Sequence, residues 1–401
     1  MIGREEERTL ILPWRLIRIL SYLIQLIEPW REEAPGLDFE GGEDEEVATV
    51  LQMYSSEPRG CNAKQVNILA GLISGIVGSR RTNYPHIASK VPDRAKPESR
   101  VKRISRFINA ADDKQEVHLM PFAGLLLSNL AERTLVLVMD GSEVGRGCLA
   151  LMLSVLYRGR ALPIAWLVVS AKKGHFSQER HIQLLTAVKE LLPVGADVVF
   201  LGDGEFDGVE LQAQLTALDW QYACRTSSNT ILYDGEEFSF QDLLLQPGMR
   251  LSMPDVSFTR QRFGPVLAIA WWRKGYQEPI YLVTNFELTE EACYWYQKRF
   301  KIETFFSDQK SRGFHLHKSH LSNPTRLARL MLAACLAYLW IVYLGVWSIN
   351  QKLHTLVHRT DRCDLSLFQL GFRILDHLLD HNLPLPVSFT DFSHGYPQFV
   401  R

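Results

Sequence analysis

The sequence lacks closely spaced cysteines. Its six cysteines are scattered over 401 residues, at positions 61, 148, 224, 293, 335 and 363, and no two of them form a C-x-x-C motif. This spacing argues against a zinc site, which needs clustered thiolates, and against the disulfide framework of a small secreted domain. The cysteine pattern is instead typical of a protein that stays in a reducing compartment.

An overall excess of either charge is also missing. The formal net charge is −1, so the total neither indicates nor excludes a nucleic-acid partner. Residues 28–46 nevertheless contain nine acidic residues and one basic, whereas residues 79–107 contain nine basic residues and two acidic ones. One hypothesis is that the acidic segment folds over a DNA-binding basic block and restrains it. The alternative is a disordered acidic linker beside a solvated charged face.

Two apolar stretches raise the question of a secretion signal or a membrane span. Residues 10–27 are interrupted by Arg15 and Arg18 and lack a small-residue cleavage site, so we do not expect a signal peptide. Residues 330–347 carry no charge over eighteen positions, which is the lower limit of length for a membrane span. A helix buried in a large core has the same pattern. We predict a core helix and no membrane association.

Apolar periodicity and chain breaks divide the sequence into six regions. Between residues 62 and 109, three short helical patterns are separated at Gly78, Pro85, Pro92 and Pro97. Three helices that end in a basic one suit a helix-turn-helix type DNA-binding unit, although any small helical bundle can share the pattern. The predicted regions are an N-terminal apolar helix with an acidic linker (1–47), a helical DNA-binding region (48–130), the first part of an α/β core (131–227), a β-rich insertion (228–288), the second part of the core (289–325) and a C-terminal helical region (326–401).

A mixed α/β sheet is predicted after residue 131. An apolar run ends at Asp140, two strands follow around Arg158 and Gly159, a helical pattern ends at Pro193, and a second apolar run ends at Asp203. Another helix and another strand come next. Three strands, a helix and a further strand are the order typical of a mixed sheet layered with helices.

The aspartates at the ends of these two apolar runs, Asp140 and Asp203, are each followed by glycine. A carboxylate at the end of a buried strand lies at the sheet rim, where a cation can reach it, and glycine allows close approach. If the strands are neighbours, the two like charges are costly unless a divalent cation neutralises them. Oxygen ligands favour Mg²⁺ or Mn²⁺ over Zn²⁺. The alternative is that each aspartate only caps the turn that follows it.

A third candidate carboxylate, Glu303, lies in the aromatic and basic segment 294–310. If this segment is one helix, each residue advances by about 100°. Relative to Tyr296, Arg299 then lies at about −60°, Glu303 at about −20° and Lys310 at about −40°, so the four side chains share a sector of roughly 60°. The neighbouring charged residues point elsewhere: Lys298, Lys301 and Asp308.

Two basic groups beside one carboxylate suit a site that holds a polyanion. The alternative is an exposed Arg299–Glu303 ion pair. That pair alone would not explain the shared face of Tyr296 and Lys310.

The spacing of these four residues resembles the YREK signature of the insertion-sequence-four family of DDE transposases, bacterial cut-and-paste enzymes that include the transposases of transposons five and ten. The sequences VMDGS at Asp140 and LGDGEF at Asp203, 63 residues apart, resemble the family's first two catalytic positions, and 100 residues separate Asp203 from Glu303. The segments VKRISRFI and GFHLHKSHLSNPTRLARLMLAACL are also similar, and the resemblance covers residues 62–380.

The resemblance implies an RNase H-like fold and the cutting and joining of DNA. Asp140, Asp203 and Glu303 would be the catalytic residues and would hold two Mg²⁺ ions, for which Mn²⁺ can substitute. Double-stranded DNA, both the terminal inverted repeats and the target, would be bound by a homodimer in the bacterial cytoplasm, at the nucleoid. DNA contacts would come from the signature residues Tyr296, Arg299 and Lys310, and from Arg100, Lys102, Arg103, Arg106 and Lys318.

The sequence departs from the family at the expected hairpin step. Relatives cut the second strand through a hairpin, which requires a displaced base to stack on an aromatic residue, and several of them carry a tryptophan four residues before the threonine that precedes the signature helix. Here Ile280 stands at that distance from Thr284. Tyr281, Trp271 or Trp272 could supply the stacking platform. The alternative is that these aromatics belong to a β-sheet core.

The histidines His315, His317 and His320 have no second ligand cluster, so we expect phosphate contact or surface exposure rather than zinc binding. Two other functions are compatible with the same sequence. One is a hydrolytic nuclease that cuts DNA without joining it. The other is a transposase-derived DNA-binding protein without catalysis, against which the three intact carboxylates argue.

Overall fold

The computed structural model describes residues 61–91, 95–110, 115–171, 174–360, 363–383 and 385–386. The predicted N-terminal helix and acidic linker (1–47), and the hypothesis that this linker restrains DNA binding, lie outside the described residues. The six region boundaries stay predictions.

In the described part of the chain four helices precede the sheet, and the three helical patterns predicted between residues 62 and 109 are confirmed. The second and third helices each carry proline in their first turn, where the missing N–H is not needed. The third helix buries Ile104 and Ile108 and exposes Lys102 and Arg106. Its predicted role in DNA binding stays a prediction. The four helices are α1 (Cys61–Ser79), α2 (Tyr84–Lys90), α3 (Pro97–Asn109) and α4 (Gln115–Leu130).

Ten strands form one sheet in the described part of the chain. Two of its strands, Cys148–Tyr157 and Val198–Gly202, are almost continuously apolar, which is typical of a sheet covered on both faces. The strands are β1 (Leu135–Gly145), β2 (Cys148–Tyr157), β3 (Arg160–Ser170), β4 (Val198–Gly202), β5 (Gln221–Thr226), β6 (Ile231–Asp234), β7 (Glu236–Ser239), β8 (Arg250–Phe258), β9 (Phe263–Trp271) and β10 (Ile280–Thr284).

The core half of the sheet has the order β3-β2-β1-β4-β5. The first three strands are antiparallel, whereas β1, β4 and β5 run parallel to one another. Parallel strands need crossover connections, and α5 (Gln178–Lys189) and α6 (Val209–Ala217) lie in the connections that lead to β4 and β5. This is the strand arrangement of RNase H-like cores, so the predicted fold class is confirmed.

The β-rich insertion predicted at residues 228–288 extends this same sheet. Strand β10 pairs antiparallel with both β5 and β9, and β8, β6 and β7 follow in order. The insertion therefore widens the core sheet and does not form another layer.

Helices dominate after the sheet: α7 (Thr289–Tyr296), α8 (Lys301–Gln309), α9 (Pro324–Asn350) and α10 (Leu367–Asp380). Helix α9 begins where the side chain of Asn323 accepts a hydrogen bond from the backbone N–H of Arg326. Among the described residues α9 is the one helix long and apolar enough to cross a membrane. Of its most apolar stretch of 18 residues, 94% is buried inside the protein. It packs against α1, β3 and α10, so the predicted core helix is confirmed.

Helices α9 and α10 approach each other closely at two glycines. A Cβ atom added to Gly371 would lie 1.9 Å from the backbone oxygen of Ile341, and one added to Gly345 would lie 2.2 Å from that of Leu367. Both obstacles are backbone atoms, which cannot rotate away. Any larger residue at these positions would therefore push the two helices apart.

We expect Gly371→Ala to lower the free energy of unfolding by about 1–3 kcal/mol, the usual cost of overpacking a core. Denaturant unfolding measures this directly. Gly124→Ala in α4 is the matched control, because no atom of the described residues outside its own stretch of helix lies within 4 Å of its Cβ position. Alanine there should be neutral or stabilising. Equal effects of the two substitutions would contradict the close approach of α9 and α10.

Candidate active site

The pairing of β1 with β4 puts two aspartates side by side. The parallel register ends with Val138 opposite Leu201, and two residues further the same offset brings Asp140 opposite Asp203. Adjacent strands lie about 4.8 Å apart, so the two carboxylates share one region at the sheet edge. Asp203 directly follows β4, as predicted. The prediction that Asp140 ends its strand is wrong, because β1 continues to Gly145 through its pairing with β2.

Asp140 is a largely buried carboxylate among like charges, with 15% of its side chain exposed. Burial, and then the charge of Asp203, raises the pKa of Asp140 from 3.8 to about 7, and Glu303 adds to the rise. Arg299 and the backbone N–H of Gly141, which donates to Asp140 Oδ1 over 2.8 Å, oppose the rise only in part. The local charge thus favours either a proton or another cation at Asp140.

The signature segment is not one helix. Helix α7 ends at Tyr296 and α8 begins at Lys301, so the predicted single helix with its shared face is wrong. Between the two helices, Arg299 N donates to Tyr296 O over 3.0 Å and Ile302 N donates to Arg299 O over 3.2 Å. Such bonds to the third residue back wind the chain by about 120° per residue instead of 100°. Lys310 lies just past the end of α8.

Arg299 lies between two of the three candidate carboxylates. It is 5% exposed, its Nη2 donates to Glu303 Oε1 over 3.0 Å, and its Nη1 lies 3.8 Å from Asp140 Oδ2. Burial opposes the charged form, yet the nearby Tyr296, Asp140, Asp203 and Glu303 groups raise the pKa of Arg299. The guanidinium therefore holds the exposed Glu303 toward Asp140. Contact of Arg299 with phosphate stays a prediction.

Tyr296 and Lys310 complete the set of signature residues. Tyr296 is fully buried, and burial raises its pKa to about 12, with the Asp203 charge acting in the same direction. Lys310 Nζ donates to Ser142 Oγ over 2.6 Å. Ser142 follows Asp140 by two residues on β1, so both side chains are on one face of the sheet. All four signature residues thus lie near the two aspartates, although the segment that carries them forms two helices and not one.

The donor set fits a divalent cation at Asp140 and Asp203. Both offer carboxylate oxygens, the donors that Mg²⁺ and Mn²⁺ prefer, and a cation would relieve the repulsion that raises the pKa of Asp140. Within the described ranges, no three histidine, cysteine, aspartate or glutamate side chains are close enough to hold one ion together. Glu303 is paired with Arg299. It would become a third ligand only by separating from that guanidinium.

A group of basic side chains continues from Lys310 along the segment after α8. Burial, and then the charges of Lys318 and Arg81, lower the pKa of His315, whereas burial followed by Lys318 and Lys310 lowers that of His317. His317 and His320 are exposed, which confirms the predicted exposure for these two histidines. The group, called here the cationic cluster, consists of Arg81, Lys310, His315, His317 and Lys318.

The basic residues predicted on the third helix lie on a different element from the carboxylates. Helix α3 packs against α1, α2 and α9. Lys102 and Arg106 are exposed, and Arg100 and Arg103 are half-buried, with Arg100 donating to the carbonyl of Ala88 over 3.2 Å. Their contact with DNA stays a prediction.

The candidate aromatic platforms lie at the same sheet edge as Asp203. Strand β5 runs parallel to β4 and ends at Thr226, which lies opposite Tyr281, and Ile280 lies opposite Trp271. Ile280 itself is buried. Three strand spacings separate β4 from β9, or about 14 Å.

The structure leaves two roles open for these aromatic residues, base stacking and packing in the sheet core. The ring of Tyr281 packs against Phe240 with centroids 4.9 Å apart, as a core residue would. Trp271 is half-buried, and Nε1 of the half-buried Trp272 donates to the carbonyl of Tyr276 over 3.0 Å. A role in base stacking stays a prediction.

Two residues of the site, Ser142 and Glu205, were not predicted from the sequence. Ser142 could have been found, because its two-residue spacing from Asp140 places it on the same face of a strand. Glu205, two residues after Asp203, accepts hydrogen bonds from His181 and Phe176, which the fold brings from another connection. No sequence spacing indicates that contact.

The raised pKa of Asp140 predicts a pH-dependent stability in the absence of metal. Between 3.8 and about 7 the folded state binds more protons than the unfolded state, so the stabilising effect of protonation is lost as the pH rises through 7. Asp140→Asn should therefore stabilise the protein by up to about 4 kcal/mol at pH 8 and by less at pH 5. Thermal unfolding in a chelator measures this.

The control for this measurement is Gly124→Ala, which leaves every titratable group of the protein unchanged. Its effect on stability should be the same at both pH values. Equal stabilisation by Asp140→Asn at both pH values would contradict the raised pKa.

The chain is similar to a known protein family and to solved structures. The family described as transposase DDE domain matches residues 134–340, a range that contains Asp140, Asp203 and Glu303. A comparison with curated proteins gives no match. Among solved structures, the chain is similar to piggyBac transposase in its synaptic complex with hairpin DNA, with 11% identity, 85% of this chain and 78% of that chain covered, and a TM-score of 0.45. Because the family match spans more than half of the sequence, the chain belongs to the transposase DDE domain family.

Proposed function

We propose that this protein is a DNA transposase of the insertion-sequence-four type that cuts and joins DNA at Asp140, Asp203 and Glu303. One observation carries the proposal: Asp140 stands beside Asp203 on adjacent parallel strands, with its pKa raised to about 7 by burial and by the Asp203 charge. DDE transposase domains use divalent metal ions. A pair of repelling carboxylates at a sheet edge is the local chemistry that such ions require.

The proposed cofactor is Mg²⁺, for which Mn²⁺ would substitute, held by Asp140, Asp203 and Glu303. When bound, the two ions would activate water or a DNA 3′-OH and stabilise the leaving oxygen. Arg299 keeps Glu303 near Asp140 before the ions are bound. Lys310, which contacts Ser142 on the face of β1 that carries Asp140, would place its charge against the scissile phosphate.

The proposed partner is double-stranded DNA, at the inverted repeats and at the target. The cationic cluster supports this, because burial and then the neighbouring positive charges lower the pKa values of His315 and His317, and a bound polyanion would relieve the repulsion among those charges. Lys318 is exposed within the cluster. The exposed Lys102 and Arg106 of α3 would supply a second contact region.

The remaining parts of the proposal follow from the resemblance of the signature residues. Two copies of the chain would act on paired ends, in the bacterial cytoplasm. A hairpin intermediate would need an aromatic platform for a displaced base. The candidates are Tyr281, Trp271 and Trp272, which lie at the same sheet edge as Asp203, near the buried Ile280.

A strand-transfer assay with Mg²⁺ and DNA that carries the cognate inverted repeats tests the proposed reaction. The unchanged protein should yield both cleaved and joined products. Asp203→Asn and Glu303→Gln should lower both yields at least about 100-fold while DNA binding is retained. The matched control is Glu287→Gln, at an exposed glutamate before α7, which should stay active.

The outcomes of this assay separate the proposed functions. Cleavage without joining would indicate a hydrolytic nuclease, and binding without either would indicate a transposase-derived DNA-binding protein. Unchanged cleavage by Glu303→Gln would contradict the role of that carboxylate.

Lys318→Ala should weaken binding to all DNA sequences to a similar extent. If Lys318 neutralises one phosphate, the slope of log affinity against log salt concentration should fall by about one. Lys189→Ala changes an exposed lysine at the end of α5 and serves as the control. The measurement is a fluorescence-anisotropy titration at several salt concentrations, and an unchanged slope for Lys318→Ala would remove this residue from the DNA surface.

A further inference from the structure

Close to the two aspartates, one further carboxylate forms hydrogen bonds with other segments of the chain. Glu205, two residues after Asp203, has a side chain that is 11% exposed. Its Oε1 accepts hydrogen bonds from the backbone N–H of Phe176 and from Nε2 of His181, the latter over 3.3 Å. Its Oε2 lies 3.1 Å from Nδ1 of His175. An ionised carboxylate can only accept, so each imidazole carries its hydrogen on the nitrogen that faces Glu205.

Two further contacts connect Glu205 to the candidate metal ligands. Its own backbone N–H donates to Asp203 Oδ1 over 3.0 Å. On the other side, the ring of Phe176 covers Gly141, the neighbour of Asp140. A Cβ atom at Gly141 would lie 3.2 Å from that ring and 3.8 Å from Glu205 Oε2. Glu205 therefore links the backbone around both aspartates.

His181, which donates a hydrogen bond to Glu205, is itself held firmly by its surroundings. His181 on α5 is 1% exposed, and its ring packs against Phe206 with centroids 4.6 Å apart. Three residues earlier on the chain, Gln178 Oε1 accepts hydrogen bonds from the backbone N–H groups of Glu210 and Leu211, at the start of α6. Helix α5 is thus attached at two points to the segment that follows Asp203.

Donors occupy both oxygens of the Glu205 carboxylate: His181 and Phe176 at Oε1, and His175 at Oε2. A group in this position can orient a metal ligand without being one itself.

We propose that Glu205 is a positioning residue, which fixes the orientation of Asp203 toward Asp140 through its anchors on His181 and Phe176 and so sets the affinity of the site for a divalent cation. This inference rests on the proposed metal-dependent function. It adds an acidic residue that acts through Asp203 and does not contact the ion.

The test is the binding of Mn²⁺ to the full-length protein, followed by the electron paramagnetic resonance signal of free Mn²⁺. Glu205→Ala should weaken the apparent Mn²⁺ affinity about 10-fold or more, as outer residues of metal sites do. Glu205→Gln should stay within about threefold of the unchanged protein, because an amide oxygen still accepts from Phe176 and His181 and the amide NH₂ can donate to His175. Asp197→Ala, just before the opposite end of β4, should leave the affinity unchanged.

A second pair of variants covers the case in which Glu205→Ala does not fold, which thermal unfolding without metal detects. His181→Phe keeps a ring against Phe206 but removes the donor, and should also weaken Mn²⁺ binding. His181→Gln retains an N–H near the Nε2 position and should restore part of the affinity.

Two results would overturn the positioning role: an unchanged affinity in both Glu205→Ala and His181→Phe, or an equal loss in Glu205→Gln and Glu205→Ala. The second result would mean that the charge of Glu205 binds the ion directly. The proposed function fails in a different way. In that case the unchanged protein binds no Mn²⁺, or Asp203→Asn binds it equally well.

Discussion

The parallel register of β1 against β4 is the constraint on which the candidate site depends. Val138 and Leu201 are fully buried opposite each other, and a slip of one residue would turn every side chain of the strand to the other face. The apolar core therefore fixes the placement of Asp140 beside Asp203. The same burial makes an ionised Asp140 costly, so the packing that defines the fold also creates the demand for a cation.

Groups on two sides hold these carboxylates in place. In front, the buried Arg299 lies against Asp140 and holds Glu303, so two carboxylates share one guanidinium. On the other side, Glu205 is held by hydrogen bonds from His181 and Phe176 and holds Asp203 through its backbone N–H. A buried carboxylate without such partners would destabilise the protein. The arrangement keeps the carboxylates close together, a cost in stability that is common at functional sites.

Much of this could be predicted from the sequence, because the relevant signals are local. The apolar runs ending near Asp140 and Asp203, the helical patterns up to residue 109 and the uncharged core helix each depend on spacing that the chain itself carries. The course of the signature segment could not be predicted, since the break after Tyr296 depends on hydrogen bonds to the third residue back. Pairings between distant segments also leave no periodic signal, as with Lys310 and Ser142 or the widening of the sheet by residues 228–288.

The central claim is that adjacent strands create a divalent-cation site between Asp140 and Asp203. The most direct measurement is an anomalous difference map from crystals of the protein soaked in Mn²⁺. The account predicts a peak at coordination distance, about 2.0–2.3 Å, from carboxylate oxygens of both aspartates. It also predicts that the guanidinium of Arg299 lies farther from Asp140 than the present 3.8 Å. A map with no peak at this pair, or with Mn²⁺ bound only elsewhere, would contradict it.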